Sequence, residues 1–156
     1  LTLKFSSIFG VRKGTKLYDA EINYMVPAET VSYGGGATLT PGHYAENVGF
    51  YSKAEGINQV SGEFIWFKPA SADATDVTAY SRLYFFVRAN QDITLSVIHS
   101  YAPKQNFTFQ QDVWLLVNVD RNDLGISYLG QFGFGRYCDS ALTNLELHFS
   151  SVYGVV

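Results

Sequence analysis

The sequence predicts an all-β chain: an antiparallel two-sheet β-sandwich, best arranged as a jelly roll with four to five strands in each sheet. Three observations carry the prediction. Apolar residues recur with a period of two almost throughout. Turn-forming residues interrupt that pattern roughly every 8–12 residues, the spacing of short strands in sandwiches and barrels. No stretch sustains a capped helix of three turns. With 156 residues there is material for one domain with a substantial core, and two would be cramped.

Taken in order, Leu1, Leu3 and Phe5 alternate with Thr2 and Lys4, a half-buried strand closed by Gly10 and the Arg12-Lys13-Gly14 turn. Residues 22–25 form a second short strand stopped by Pro27. Residues 31–33 lead into Gly34-Gly35-Gly36, too flexible for a strand interior and so a loop or bulge. Pro41-Gly42 reads as a turn. Residues 47–54 and 60–68 are strands on either side of a Glu55-Gly56 turn, and residues 69–78 are a polar connection. Strands follow at 83–89, 93–101, 107–109, 113–119, 131–135 and 145–152, separated by Asn90-Gln91-Asp92, Ala102-Pro103-Lys104, Arg121-Asn122-Asp123 and Gly125.

The two ends repeat each other. Residues 1–11 read Leu-Thr-Leu-Lys-Phe-Ser-Ser-Ile-Phe-Gly-Val, and residues 145–155 read Leu-Glu-Leu-His-Phe-Ser-Ser-Val-Tyr-Gly-Val, with seven of eleven positions identical. Three readings stay open: one unit of a tandem array carrying the start of the next, end strands that replace each other between neighbouring copies, or two amphipathic strands of one sheet. An opening at Leu1, with no initiator Met and no charged-then-apolar leader, leads us to expect a processed or excised piece.

Residues 76–87 (Asp-Val-Thr-Ala-Tyr-Ser-Arg-Leu-Tyr-Phe-Phe-Val) resemble the Asp-aliphatic-Ser/Thr-x-Tyr-x-x-Leu-x-Phe-x-Val strand of galactose-binding-like jelly rolls. Residues 113–124 are similar to that family's Trp-x-x-Val-x-Ile-x-x-x-Asp-Leu strand and turn. Phe132-Gly-Phe134 and residues 142–147 stand where the family has its last two strands. The resemblance spans about residues 47–150 and implies the fold more than a function, because the fold hosts carbohydrate-binding modules, adhesin domains and enzyme accessory domains. Many relatives carry an Asp in the final strand beside a structural calcium; Glu146 occupies that stretch here.

Composition narrows the function classes. The formal net charge is −3, without a charge run or a basic face for nucleic acid. No apolar run reaches the ~18 residues of a membrane-spanning helix. A single cysteine, Cys138, allows no intrachain disulfide. Enzyme signatures are lacking: no Gly-x-Ser-x-Gly elbow, no His-Glu-x-x-His, no P-loop and no dinucleotide fingerprint, while Gly34-Gly35-Gly36 lacks the Lys and the strand–helix setting of a phosphate cradle. His43, His99 and His148 are far apart in sequence and read as strand residues rather than metal ligands. Asp19 and Glu21 project from one face of a strand, more simply a solvated edge than half of a glycosidase pair. Asp120, Asn122 and Asp123 crowd oxygens as calcium loops do, as do Asp73 and Asp76; an Asx-type turn that needs no ion is the simpler reading. No cofactor is expected, with a structural calcium left open. Asn106-Phe-Thr108 is a glycosylation sequon by pattern alone.

The aromatic surplus, 12 Phe, 11 Tyr and 2 Trp, carries the functional expectation. Sugar rings stack their C–H faces on Trp and Tyr, and their hydroxyls take planar polar partners beside that platform. In residues 83–88 the apolar set Leu83, Phe85 and Val87 should face the core, leaving Tyr84, Phe86 and Arg88 outward. In 113–119 the inward set is Val113, Leu115, Val117 and Val119, leaving Trp114, Leu116 and Asn118. In 93–98, Ile93, Leu95 and Val97 face in, and Thr94, Ser96 and Ile98 out. Lys68 turns Phe64, Trp66 and itself outward. The expected ligand-binding face is Trp66, Tyr84, Arg88, Trp114 and Asn118, with loop tyrosines Tyr33, Tyr44, Tyr51 and Tyr101 in reserve. The expectation is a non-catalytic, extracellular or cell-surface module binding a polysaccharide or glycan. The alternative is a structural or adhesive repeat, a filament subunit joined to neighbouring copies through residues 1–11 and 145–155.

Overall fold

The computed structural model describes residues 14–18, 26–27, 38–46, 49–57, 62–66, 75–99, 102–129, 132–136 and 144–156. The expected strands over 1–11 and 22–25, the Gly34-Gly35-Gly36 loop, Asp19, Glu21, Asp73 and Cys138 lie outside them. The described residues form antiparallel β-sheets with almost no helix.

One sheet has seven strands: β1 (Thr15–Tyr18), β3 (Thr38–Glu46), β4 (Gly49–Ile57), β6 (Arg82–Ala89), β9 (Leu115–Asp120), β11 (Leu145–Ser150) and β12 (Val152–Val155). The other has five, in the order β2 (Val26–Pro27), β5 (Gly62–Trp66), β10 (Phe132–Arg136), β7 (Ile93–His99), β8 (Ala102–Phe109). Between β9 and Gly125 runs a single helical turn, α1 (Arg121–Leu124), capped by Asp120, whose carboxylate accepts from the Asn122 and Asp123 N–H groups at 2.8 and 3.4 Å.

The seven-stranded sheet is larger than the four to five strands expected because residues 145–155 act as one bent strand. Along one edge they pair with β6 in two stretches, first Leu147–Phe149 and then Tyr153–Val155. Along the other edge β11 pairs with β4, and β12 pairs with β1. The bend is a β-bulge: Phe149 faces Val87 and Tyr153 faces Tyr84, so the closing strand spends one more residue than β6 over the same length. The sheet is curled accordingly.

Leu83, Phe85 and Val87 are buried as the alternation requires, with Val117, Val119, Leu145, Leu147 and Phe149 beside them. Phe134 of β10 joins the two sheets, its ring 5.8 Å from both Phe85 and Phe149. Together they share one apolar core, and its burial is the main stabilising term.

Several local expectations are corrected. Pro41-Gly42 and Glu55-Gly56 do not reverse the chain; they lie inside β3 and β4, where the register shifts. Gly56 takes φ +67° at its bulge, a backbone region that favours glycine. Pro103, read as a breaker, belongs to β8. Strand β8 is the edge of its sheet and is irregular at that point, where a missing N–H is tolerated. Val113, expected in the core, is 49% exposed because it precedes β9 in a turn. Ile98, expected outward, is fully buried: β7 lies mid-sheet between β10 and β8, with Ile98 paired to Gly133 and Pro103. Tyr44, expected in a loop, is on β3, and Tyr51, grouped with the loop tyrosines, is on β4 within the strand expected over 47–54.

Candidate functional site

The outer face of the seven-stranded sheet gathers most of the expected residues. Tyr84 of β6 stands opposite Asn118 of β9, and Phe86 opposite Leu116. One step further along, Trp114 lies over Arg88. From Arg82 to Arg88 this face runs about 20 Å along β6, at ~3.3 Å per residue. The exception is Trp66. It belongs to β5, paired with Val26 and Gly133 in the five-stranded sheet, so it does not share the face with the others. Pairing between distant strands decides this, and local alternation does not report it.

Trp114 is delivered by a turn. Asp112 adopts φ +57° and donates its N–H to the Ala89 carbonyl at 2.8 Å, while Gln111 N–H reaches the Asp92 carboxylate at 2.7 Å. An Asp tolerates this left-handed conformation better than most residues. The turn leaves Trp114 half-buried beside the end of β6.

Around Trp114 the strands assemble a mixed aromatic and charged cluster. The Arg88 guanidinium carbon lies 5.0 Å from the Trp114 ring centre and 5.7 Å from that of Tyr51. Tyr51 meets Trp114 edge-on at 5.4 Å and stacks on His148 at 4.8 Å. Arg88 Nε donates to His148 Nδ1 at 3.1 Å, so Nδ1 is the acceptor and the imidazole carries its proton on Nε2, which donates to Glu146. Lys53 bridges to Glu146 at 3.3 Å and pairs with Glu55.

Asn90 holds this end of the sheet in place. Its side chain accepts from Glu146 N–H at 2.9 Å and donates to the Asn144 carbonyl at 3.0 Å.

The electrostatics follow from burial and pairing. His148 is only 8% exposed, and burial first of all holds its pKa below the usual 6.5; Arg88 and Lys53 push the same way while Glu146 opposes them. The Lys53 ammonium is raised, chiefly by its hydrogen bond to Glu55.

At the other end of the face, Tyr84 stacks on Tyr153 with ring centres 5.4 Å apart, and burial raises the Tyr84 phenol. Arg82 Nε donates to Asn118 Oδ1 at 2.9 Å. Beside that pair opens a cleft of about 340 Å³ lined by Arg82, Lys104, Gln105, Asp120, Asp123 and Leu124. Polar groups thus flank the aromatics at both ends.

Tyr51 is one of the tyrosines held in reserve, while Lys53, Glu146 and His148 are not among the expected site residues. The signal was present: burying Leu145, Leu147 and Phe149 turns Glu146 and His148 outward by the same alternation that exposes Tyr84 and Arg88. Elsewhere, Asp76 accepts from the Thr78 N–H and hydroxyl, which lowers its pKa. Among the described residues no group of three or more His, Cys, Asp or Glu is placed to hold a metal ion, and no helix is long and apolar enough to cross a membrane. Compared with known proteins, the chain matches no family model and no curated protein sequence.

Proposed function

We propose that the chain is a non-catalytic jelly-roll β-sandwich of the galactose-binding-like kind, a module of an extracellular protein that binds glycan on the outer face of its seven-stranded sheet. The observation that supports this most is the half-buried Trp114 beside Arg88, backed by the buried Tyr51 and His148 and flanked by Glu146 and Lys53. A sugar ring needs an aromatic face for its C–H surface and fixed hydrogen-bonding groups for its hydroxyls. Tyr51, Lys53, Arg88, Glu146 and His148 lie on paired strands, which hold side chains more precisely than loops do, and Trp114 stands on the turn that leads into β9. Asn118 and Arg82 extend the polar rim toward the cleft.

Affinity electrophoresis through gels containing soluble polysaccharides, with Trp fluorescence as the second readout, tests the proposal. At least one polysaccharide should retard the parent and shift its emission, and Trp114→Ala should abolish both effects. Retardation unchanged in Trp114→Ala would place the binding elsewhere.

A further inference from the structure

The closing strand makes demands that the opening residues also meet. Of the seven positions that residues 1–11 share with 145–155, three are Leu145, Leu147 and Phe149, all fully buried. Any amphipathic strand could match these. Two of the others, Ser150 and Gly154, answer to the slot through their own chemistry. Ser150 accepts the Phe86 N–H at 2.8 Å and donates to the Ser151 carbonyl at 3.0 Å, replacing the ladder bond that the bulge removes. Gly154 is pressed against Tyr80, where a Cβ would stand 2.6 Å from the ring. Val155 takes Ser81 N–H on its carbonyl at 2.8 Å. Residues 1–11 supply Ser6, Ser7, Gly10 and Val11 at those places. The four differences are Val152, replaced by Ile8, and the outer-face residues Glu146, His148 and Tyr153. What the slot requires is retained; what the outer face carries is changed.

Register supports the same conclusion. Thr15 pairs with Gly154 and Lys16 with Tyr153. Residues 1–11 in that register would set Gly10 against Thr15 and Phe9 against Lys16, with Val11, Arg12, Lys13 and Gly14 as the connection. A four-residue loop is a common hairpin connection.

We propose that residues 1–11 and 145–155 are interchangeable occupants of the slot between β6 and the β4/β1 edge, and that this chain joins a second copy of itself by strand exchange through it. A copy closed by its own residues 1–11 has residues 145–155 to donate, and the second copy's slot accepts them in native register. This inference does not rest on glycan binding, although closure by residues 1–11 would put Thr2 and Lys4 where the outer face carries Glu146 and His148. The exchange carries an electrostatic bias. Lys4 at the His148 position would sit between Lys53 and Arg88, the register partners of His148, and Thr2 would remove the Glu146 carboxylate. Salt should therefore favour closure by residues 1–11.

The test uses the full chain with a charge placed on either occupant. Phe149→Asp disables residues 145–155 and Phe5→Asp disables residues 1–11. Phe149→Asp alone should keep β-sheet circular dichroism and a cooperative transition, with a midpoint that rises with salt; Phe5→Asp/Phe149→Asp should lose both. Co-refolding the double variant with parent chain should yield a 1:1 complex of twice the chain's mass by light scattering. If Phe149→Asp unfolds as completely as the double variant, the proposal is overturned. It is equally overturned if Phe149→Asp folds but the double variant is never rescued by parent chain, because exchange would then be confined to one copy.

Discussion

The Arg88 guanidinium carbon lies 5.0 Å from the centre of the Trp114 ring, and the same side chain donates from Nε to His148 at 3.1 Å. A planar guanidinium can stack and donate sideways at once; an ammonium cannot do both in this geometry. Arg88→Lys should therefore cost about 1 kcal/mol of stability, the scale of a partly exposed cation–π contact. Urea denaturation measures it. A lysine variant as stable as the parent would mean that the stack is energetically idle.

His148 gives the fold a pH dependence of definite sign. Its folded pKa lies below the usual 6.5, with burial as the first cause. Above 6.5 the imidazole is neutral in both states and the full contribution is present. As pH falls below 6.5 the unfolded chain takes up the proton first, and stability declines until the folded-state pKa is passed. In the folded state the new proton would sit on Nδ1, against the Arg88 donor, with Lys53 close by and only Glu146 favouring it. His148→Gln should flatten the difference in urea midpoint between pH 7 and pH 5. An equal difference in parent and variant would assign the dependence to other groups.

How much of this was legible in the sequence depends on the range of the deciding interaction. The β6 and β9 faces are readable because each strand has one face on the core, so period-two alternation maps directly onto core and surface; Tyr84, Arg88 and Asn118 fall where that alternation puts them. Trp66 was misplaced because strand partnership is set by tertiary pairing, which alternation in β5 does not encode. Pro41-Gly42 and Glu55-Gly56 read as turns because bulges and turns use the same residues for the same backbone reasons. Tyr51 ranks only as a reserve candidate in the sequence because its neighbours in the cluster, Trp114, Arg88 and His148, are brought to it by pairing between distant strands.

Gly154 is a close-approach position. A methyl there would stand 2.6 and 2.7 Å from two ring carbons of Tyr80 and 2.9 Å from Leu17 Cδ1. Gly154→Ala should destabilise by about 1–3 kcal/mol, the usual range for overpacking. Tyr80→Leu shortens the obstructing side chain, so the double variant should lose less than the sum of the single losses. Strict additivity in urea denaturation would mean that the ring is not what excludes the methyl.

Ser150 carries the bulge on which the curled sheet turns. Five residues from Phe149 to Tyr153 span four from Val87 to Tyr84, so the Phe86 N–H has no carbonyl in line and donates to Ser150 Oγ at 2.8 Å instead. Removing the hydroxyl leaves that donor without its acceptor in a strand paired on both edges, where an unmet N–H costs about 1–3 kcal/mol. Ser150→Ala should lower stability by that amount, and Ser150→Thr, which keeps the hydroxyl, should lose much less. Amide exchange separates this cause from a general loosening of the core: Phe86 should lose protection in the alanine variant by more than Phe85 or Val87. Uniform loss across all three amides would mean that the strand as a whole, and not the bulge bond, had weakened.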